Sequence, residues 1–410
     1  MVALHQQIVA AASNVESLLT VWDVATGRVL CNFKDSASPP GSLCCLGRDY
    51  LVAAQSTTSA LSLWSWHKEQ RLHRCFAMEP LTAVTASADG SYVFAGGASG
   101  SAYIWETSSG RLLRIWPAHY KAATCMALSD GAAVLVTGGG DTLVNAWLLI
   151  DLLDCSQDPT APATPLHSWS EHLLPVTALA VGCGVADPIV ASTSLDCTCS
   201  IRSLATGKHL RQLCLHSALH SLALDPCEHE IYLGAADGQI HAFSLVSPAS
   251  DAYSAVCVPQ ANGNVHSSDH ADDPKAGVLS GHAHAVRSLA ITPDGSMLIS
   301  GCDSGSVRIW DLRTRQTLRT LQHCSKGPVT NLVSLPLPPA LMARLQSSQP
   351  STSAAAGQQP LAPLAKHLAD TMSGSVVWEG PAVQLQHNHT TRQVENSGLL
   401  PSEADPHRSA

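Results

Sequence analysis

At 410 residues, 45% hydrophobic and only 13% charged, the chain has enough apolar material for a large core, in one big domain or two smaller ones. Its formal net charge of −9, with His neutral, excludes wholesale wrapping of nucleic acid, which takes a basic surface; an RNA contact is expected to be indirect or local at most. Residues 1–14 lack a basic start and their apolar run is too short to cross a bilayer, so no secretory signal and no membrane span are expected, and the 14 scattered cysteines read as free thiols of a reducing compartment.

Seven segments end alike, in chain order: "LLTVWDV", "ALSLWSW", "SAYIWET", "LVNAWLL", "TCSIRSL", "QIHAFSL" and "SVRIWDL". The aligned position is Trp22, Trp64, Trp105, Trp147, Arg202, Phe243 and Trp310, with steps of 42, 41, 42, 55, 41 and 67. A period of about 40–45 residues with a Trp-Asp-like ending marks a four-stranded propeller blade. The two long steps place inserts at about 151–168, rich in Pro, Asp and Thr, and at about 247–277, rich in Ser, Asp, His and Asn. Within a unit, runs such as "AVRSLAIT", "MLISGC", "SVRIWDL" and "QTLRTLQ" read as strands, split by turn signals such as Pro293–Gly295. The Cys-x-Cys of Cys197 and Cys199 reads as alternate residues on one strand face, since nothing at zinc-like spacing completes a metal site.

The first unit supplies three strands, "IVAAAS", "LTVWDV" and "RVLCNF", and lacks an inner one. After the seventh unit one strand remains, Gly327–Pro336, which fits as the innermost strand of blade one and removes the open edges of the ring. The fold class expected is therefore all-β: a seven-bladed WD-repeat β-propeller over residues 1–336, with a mostly disordered tail over 337–410. Inside that tail, 360–372 is a short amphipathic island that reads either as a weakly ordered segment or as a docking peptide for the propeller or a partner.

Each unit also carries polar residues in register. Six positions before the Trp slot stand Asp141, Asp196 and Asp237, with Asp303 one residue early in the last unit. A His precedes the first strand (His119, His172, His216, His282), and a hydroxyl lies on the second (Thr137, Ser192, Ser300). The expectation is a structural hydrogen-bond network in each blade: His119, Thr137, Asp141 and Trp147; His172, Ser192 and Asp196; His282, Ser300, Asp303 and Trp310. An indole brings both area and one N–H donor, which accounts for 9 Trp against 4 Phe. A catalytic triad would be one unique site with an exposed nucleophile, whereas this constellation recurs blade by blade, so catalytic, cofactor and metal residues are all expected to be none.

Several phrases go beyond generic repeats: "YLVAAQSTTSALSLWSW", "AHYKAATCMALSDGAAVLVTGGGDTLVNAWLLIDLL", "TSLDCTCSIRSLATGKHL", "KGPVTNLV" and above all Trp169–Thr177, "WSEHLLPVT". In these the chain resembles the WD-repeat subunit of the rixosome, a complex acting in maturation of the large ribosomal subunit, over about residues 5–336. Arg202-Ser203 and Phe243-Ser244 depart from the Trp-Asp pair. The resemblance implies a non-catalytic scaffold protein of the nucleus, in nucleolus and nucleoplasm. Its implied partners are the helical-repeat scaffold subunits of the rixosome, an AAA-type ATPase of pre-ribosome remodelling, and pre-ribosomal particles. A second reading, substrate receptor of a cullin-type ubiquitin ligase, has Trp310-Asp311-Leu312-Arg313 in its favour, but the preceding unit holds no second copy. A generic WD-repeat scaffold of another complex is the third.

Overall fold

The computed structural model describes residues 6–15, 18–154, 158–160, 162–184, 187–246, 255–257, 277–323, 327–346 and 361–368. Seven antiparallel sheets follow one another along these residues, and blade four shows the pattern: Ala123–Leu128 innermost, then Val134–Gly139, Val144–Leu148 and His167–Trp169 at the rim. The chain is a seven-bladed β-propeller, as the repeat period predicts.

Blade one is closed by the far end of the chain. Val329–Pro336 pairs antiparallel with Gln7–Ser13, from Gln7 opposite Pro336 to Ala12 opposite Asn331. Polar side chains lock this strand in place. Thr330 Oγ1 donates to the carbonyls of Ala12 (3.2 Å) and Ser38 (3.1 Å), and Asn331 Nδ2 donates to that of Pro39 (2.7 Å). Val329 lies fully buried among Val9, Ala11 and Trp22.

The core is divided between the blades rather than gathered at one centre. Among the described residues seven apolar clusters occur, each at the junction of two neighbouring blades. Strands alternate so that both faces are covered by adjacent sheets, which is why second and third strands such as Ala60–Ser65 and Val134–Gly139 are buried throughout. A ladder of hydroxyls near the start of the inner strands crosses the same junctions. Thr124 donates to the carbonyl of Val176 (2.6 Å), Thr177 to Leu219 (2.9 Å), Ser221 to Val286 (2.9 Å) and Ser288 to Val329 (3.0 Å). These Ser and Thr residues look generic in sequence; their register against the next blade is visible only in three dimensions.

The ordered body runs past the expected boundary at Pro336. The helix Pro339–Gln346 buries Ala340 and Leu341 against the cluster of Phe33 and Trp66. Of the expected island 360–372, residues 361–368 are described, and they sit on the junction of blades two and three. Leu364 is buried in the separate apolar cluster of that junction, with Trp105 and Leu112; its N–H reaches Cys75 Sγ (3.1 Å), and Leu368 bridges to Leu112. The close approach needs Gly110, at φ +70°, where a Cβ would collide with the Pro363 carbonyl.

The first insert is anchored: its helical turn Leu149–Leu152 buries Leu149 and Leu152 beside Trp116 and Trp147, and Pro159 accepts from the Ile115 N–H. From the second insert, Ala255–Cys257 pairs parallel with the rim strand His209–Cys214 of blade five; 247–254 and 258–276 lie outside the described residues, as do 369–410.

Candidate functional site

The recurring polar residues gather at one end of the propeller, where the loops entering each inner strand meet the turns between second and third strands. In blade four His119 Nε2 meets Thr137 Oγ1 at 2.9 Å and Nδ1 meets Asp141 Oδ1 at 3.0 Å. The Trp147 indole donates to Thr137 Oγ1 at 3.0 Å. One assignment satisfies every member: Trp147 N–H to Thr137, Thr137 O–H to His119 Nε2, and the Nδ1–H to Asp141. Asp141 Oδ2 also accepts the Tyr120 N–H (3.0 Å), so loop and turn are tied twice. Burial pushes His119 below the usual imidazole range, against the pull of Asp141, so the ring is neutral at pH 7.

Blade five repeats this with His172 between Ser192 (2.8 Å) and Asp196 (3.2 Å), and the Leu173 N–H on Asp196 Oδ2 (2.9 Å). Burial lowers His172 in the same way. Burial would raise Asp196, but hydrogen bonds from Thr198 and Leu173 outweigh it and hold the carboxyl below its usual range. The Trp slot holds Arg202. Its guanidinium is buried, ion-paired to Glu171 and stacked 5.0 Å over the Trp169 ring, which explains how a charge is tolerated there. Burial lowers the Arg202 pKa and Glu171 opposes that.

Blade seven differs from expectation. His282 Nε2 meets Ser300 Oγ (2.7 Å) and Trp310 donates to the same hydroxyl (2.8 Å), but Asp303 is not part of the network. Its carboxylate pairs with Arg287 Nε at 2.8 Å, and His282 Nδ1 faces Ser306 Oγ at 3.3 Å. The register position belongs to Ser304, and one residue of offset turns Asp303 to the neighbouring inner strand instead. Burial pushes the Cys302 thiol up, but hydrogen bonding with His282, Ser304 and Ser306 outweighs it and brings the group to about 6.

In blade six Phe243 replaces Trp and Leu233 takes the hydroxyl's place on the second strand, so donor and acceptor vanish together and neither is stranded. His216 and Asp237 stand 3.7 Å apart, both partly exposed.

Two members of these networks and one group in the central channel escaped sequence reasoning. His323 stands ahead of the closing strand, packed edge-on to Trp22 at 5.8 Å with Nε2 on the Ala11 carbonyl (3.3 Å), and is the His of blade one. Its signal was its place before Gly327–Val333. In blade three Glu79 does the work of the His: it accepts from the Ser99 N–H and hydroxyl (both 2.7 Å) and from Tyr103 O–H (2.7 Å). The central channel holds Arg287 against Asp303, with His220 Nδ1 3.4 Å from the guanidinium. Burial and then the Arg287 charge lower His220, so it is neutral.

Cys197 is not on a strand face with Cys199: it sits in the preceding turn at φ +66°, while Cys199 is buried in Thr198–Ser203. Among the described residues Asp225, Cys227 and His229 bring three metal-type atoms within 4.8 Å of one another, in one turn of blade six. That falls short of the four ligands of a closed structural zinc site.

The geometry defines a WD-repeat β-propeller protein whose polar clusters pin surface loops, and the model of the WD domain, G-beta repeat, matches residues 71–106, 110–147 and 274–311. The chain is 31% identical over 382 residues to Protein ROOT INITIATION DEFECTIVE 3 of Arabidopsis thaliana, covering 91% of this chain and 82% of the relative. It is 32% identical to WD repeat-containing protein 18 of Homo sapiens (78% and 71% covered) and 31% to Pre-rRNA-processing protein IPI3 of Yarrowia lipolytica (75% and 71%). The chain belongs to this family of WD-repeat proteins, and the resemblance drawn from its sequence holds. A solved structure, the computationally designed Ika8 protein, matches with a TM-score of 0.55 at 22% identity over 78% of this chain and 85% of that one, a likeness of fold alone.

Proposed function

We propose that the protein is a non-catalytic docking subunit of a nuclear complex for pre-ribosomal RNA processing, acting in spacer removal and large-subunit maturation. The observation that carries this reading is the 31% identity to a relative named as a pre-rRNA-processing protein, over 320 residues. The polar clusters of blades four and five fit the role: each joins loop to turn and leaves the neighbouring residue displayed, so binding orders few groups and loses little entropy. The partners are helical-repeat scaffold subunits, an AAA-type ATPase and pre-ribosomal particles, reached mainly through protein contacts given the net charge of −9. Depleting the protein is expected to accumulate spacer-containing precursors of the large-subunit RNA while small-subunit RNA matures normally. Unchanged precursor levels would overturn the reading.

A further inference from the structure

The pinned loops of blades three, four and five each display a large apolar residue beside the pin. Met78 precedes Glu79, Tyr120 follows His119, and Leu173 with Leu174 follows His172. They are 48%, 91%, 84% and 46% exposed. The exposure is not slack. The backbone N–H groups of Tyr120 and Leu173 are held by Asp141 and Asp196, so both exposed side chains stand on a backbone tied to the blade. The residues that follow His216 and His282 in blades six and seven are Ser217 and Ala283, so the apolar display does not continue into those two blades. Rigid aromatic and aliphatic anchors that lose little freedom on binding are what dominate protein interfaces.

The surrounding charge selects the occupant. Loop residues 77–80, 98–100, 118–122, 140–143, 170–175 and 195–198 carry Glu79, Asp141, Glu171 and Asp196 against Lys121, and Arg202 pairs with Glu171, so two negative charges remain in excess. His119 and His172 are neutral and do not cancel their carboxylates. An acidic rim repels phosphates, which disfavours RNA, and a second copy would set like charges together. We propose that Met78, Tyr120, Leu173 and Leu174 form the docking arc for a protein segment with an apolar seam flanked by Lys and Arg, supplied by the helical-repeat scaffold. This rests on the proposed membership of that complex.

The test titrates purified helical-repeat scaffold subunit onto the immobilised full chain. Tyr120→Ser combined with Leu173→Ser is expected to weaken binding by roughly tenfold or more, with an unchanged melting temperature. Leu318→Ser, on the rim of blade seven and 53% exposed, should leave affinity unchanged. Lys121→Glu should tighten binding, and added salt should weaken it. Full affinity in the double variant overturns the arc while leaving complex membership standing. So does a double variant that loses self-association or binding to a single-stranded RNA oligonucleotide but keeps the scaffold. Failure of the unaltered chain to bind the scaffold overturns both.

Discussion

In blade four the indole of Trp147 donates to Thr137, ten residues earlier in the chain; in blade three the indole of Trp105 donates to the carbonyl of Ala365, 260 residues later, at 2.8 Å. The two residues hold the same strand position in adjacent blades. Where the second strand of blade four carries Thr137, that of blade three carries Ala95, so the hydroxyl is missing. A buried N–H must be paired, and the tail peptide supplies the acceptor. Blade one shows the same remote solution on a larger scale, with its whole inner strand arriving from Val329–Pro336. Blades thus differ in whether they are finished locally or by distant chain, and the locally finished ones are those the repeat pattern describes best.

The largest break in this comparison comes from removing the distant chain. A protein ending at Gln322 loses the ladder bonds of the closing strand, each about 0.5–1.5 kcal/mol, together with the buried Val329, and bares Gln7–Ser13 as an edge. It is expected to be insoluble or to melt far below the full chain; a soluble protein with an unchanged melting temperature refutes the role of the clasp.

Blade four should suffer less, because its network is small. His119→Ala or Asp141→Ala should each cost about 1–3 kcal/mol, by stranding the partner's buried polar groups. The double variant should cost less than the sum, measured by chemical denaturation; strict additivity would show two independent residues.

A protein ending at Gln346 keeps the clasp and, among the described residues, loses the seat of 361–368 on blade three. It strands the Trp105 N–H, at about 1–3 kcal/mol, partly offset by the freedom the tail regains. Ala95→Thr supplies a hydroxyl where blade four has Thr137. It should recover stability in the shortened chain and none in the full one. Equal effects in both contexts would mean that the tail carbonyl is not the acceptor that matters.

The smallest effect is on pH. His119 and His172 are pushed below 6.5 by burial, so the unfolded chain binds protons that the folded one refuses. Their contribution is complete above pH 6.5 and falls as the pH drops below it. The melting temperature should decline from about pH 7.5 to about pH 5.5, and less steeply in His119→Gln with His172→Gln.

The blades, the clasp and the polar residues of blades four and five were legible because period and register are properties of the sequence itself. What was not legible depends on approach between segments. Nothing near Glu79 announces that it stands in for a His, because its partner Ser99 fills a slot where Asp was sought. Asp303 matched the composition of its blade but not the direction its backbone gives it. The departure at Arg202 from the Trp-Asp pair makes physical sense only with Trp169 and Glu171 beside it. The seat of 361–368 needs Gly110, Cys75 and Trp105 at once, from three separate turns and strands.

The closing strand also sets an order of events during synthesis. Gln7–Ser13 is among the first strands to leave the ribosome, and its inner neighbour is among the last of the propeller. At ordinary elongation speeds the gap is on the order of tens of seconds. Throughout that interval an apolar strand, "QIVAAAS", waits with one ladder unpaired. Six blades can assemble behind it, but the ring stays an open arc until Val329–Pro336 is released. The nascent protein therefore has a long window in which this strand edge stays open to pairing with other chains, and the closing strand is the one that ends it.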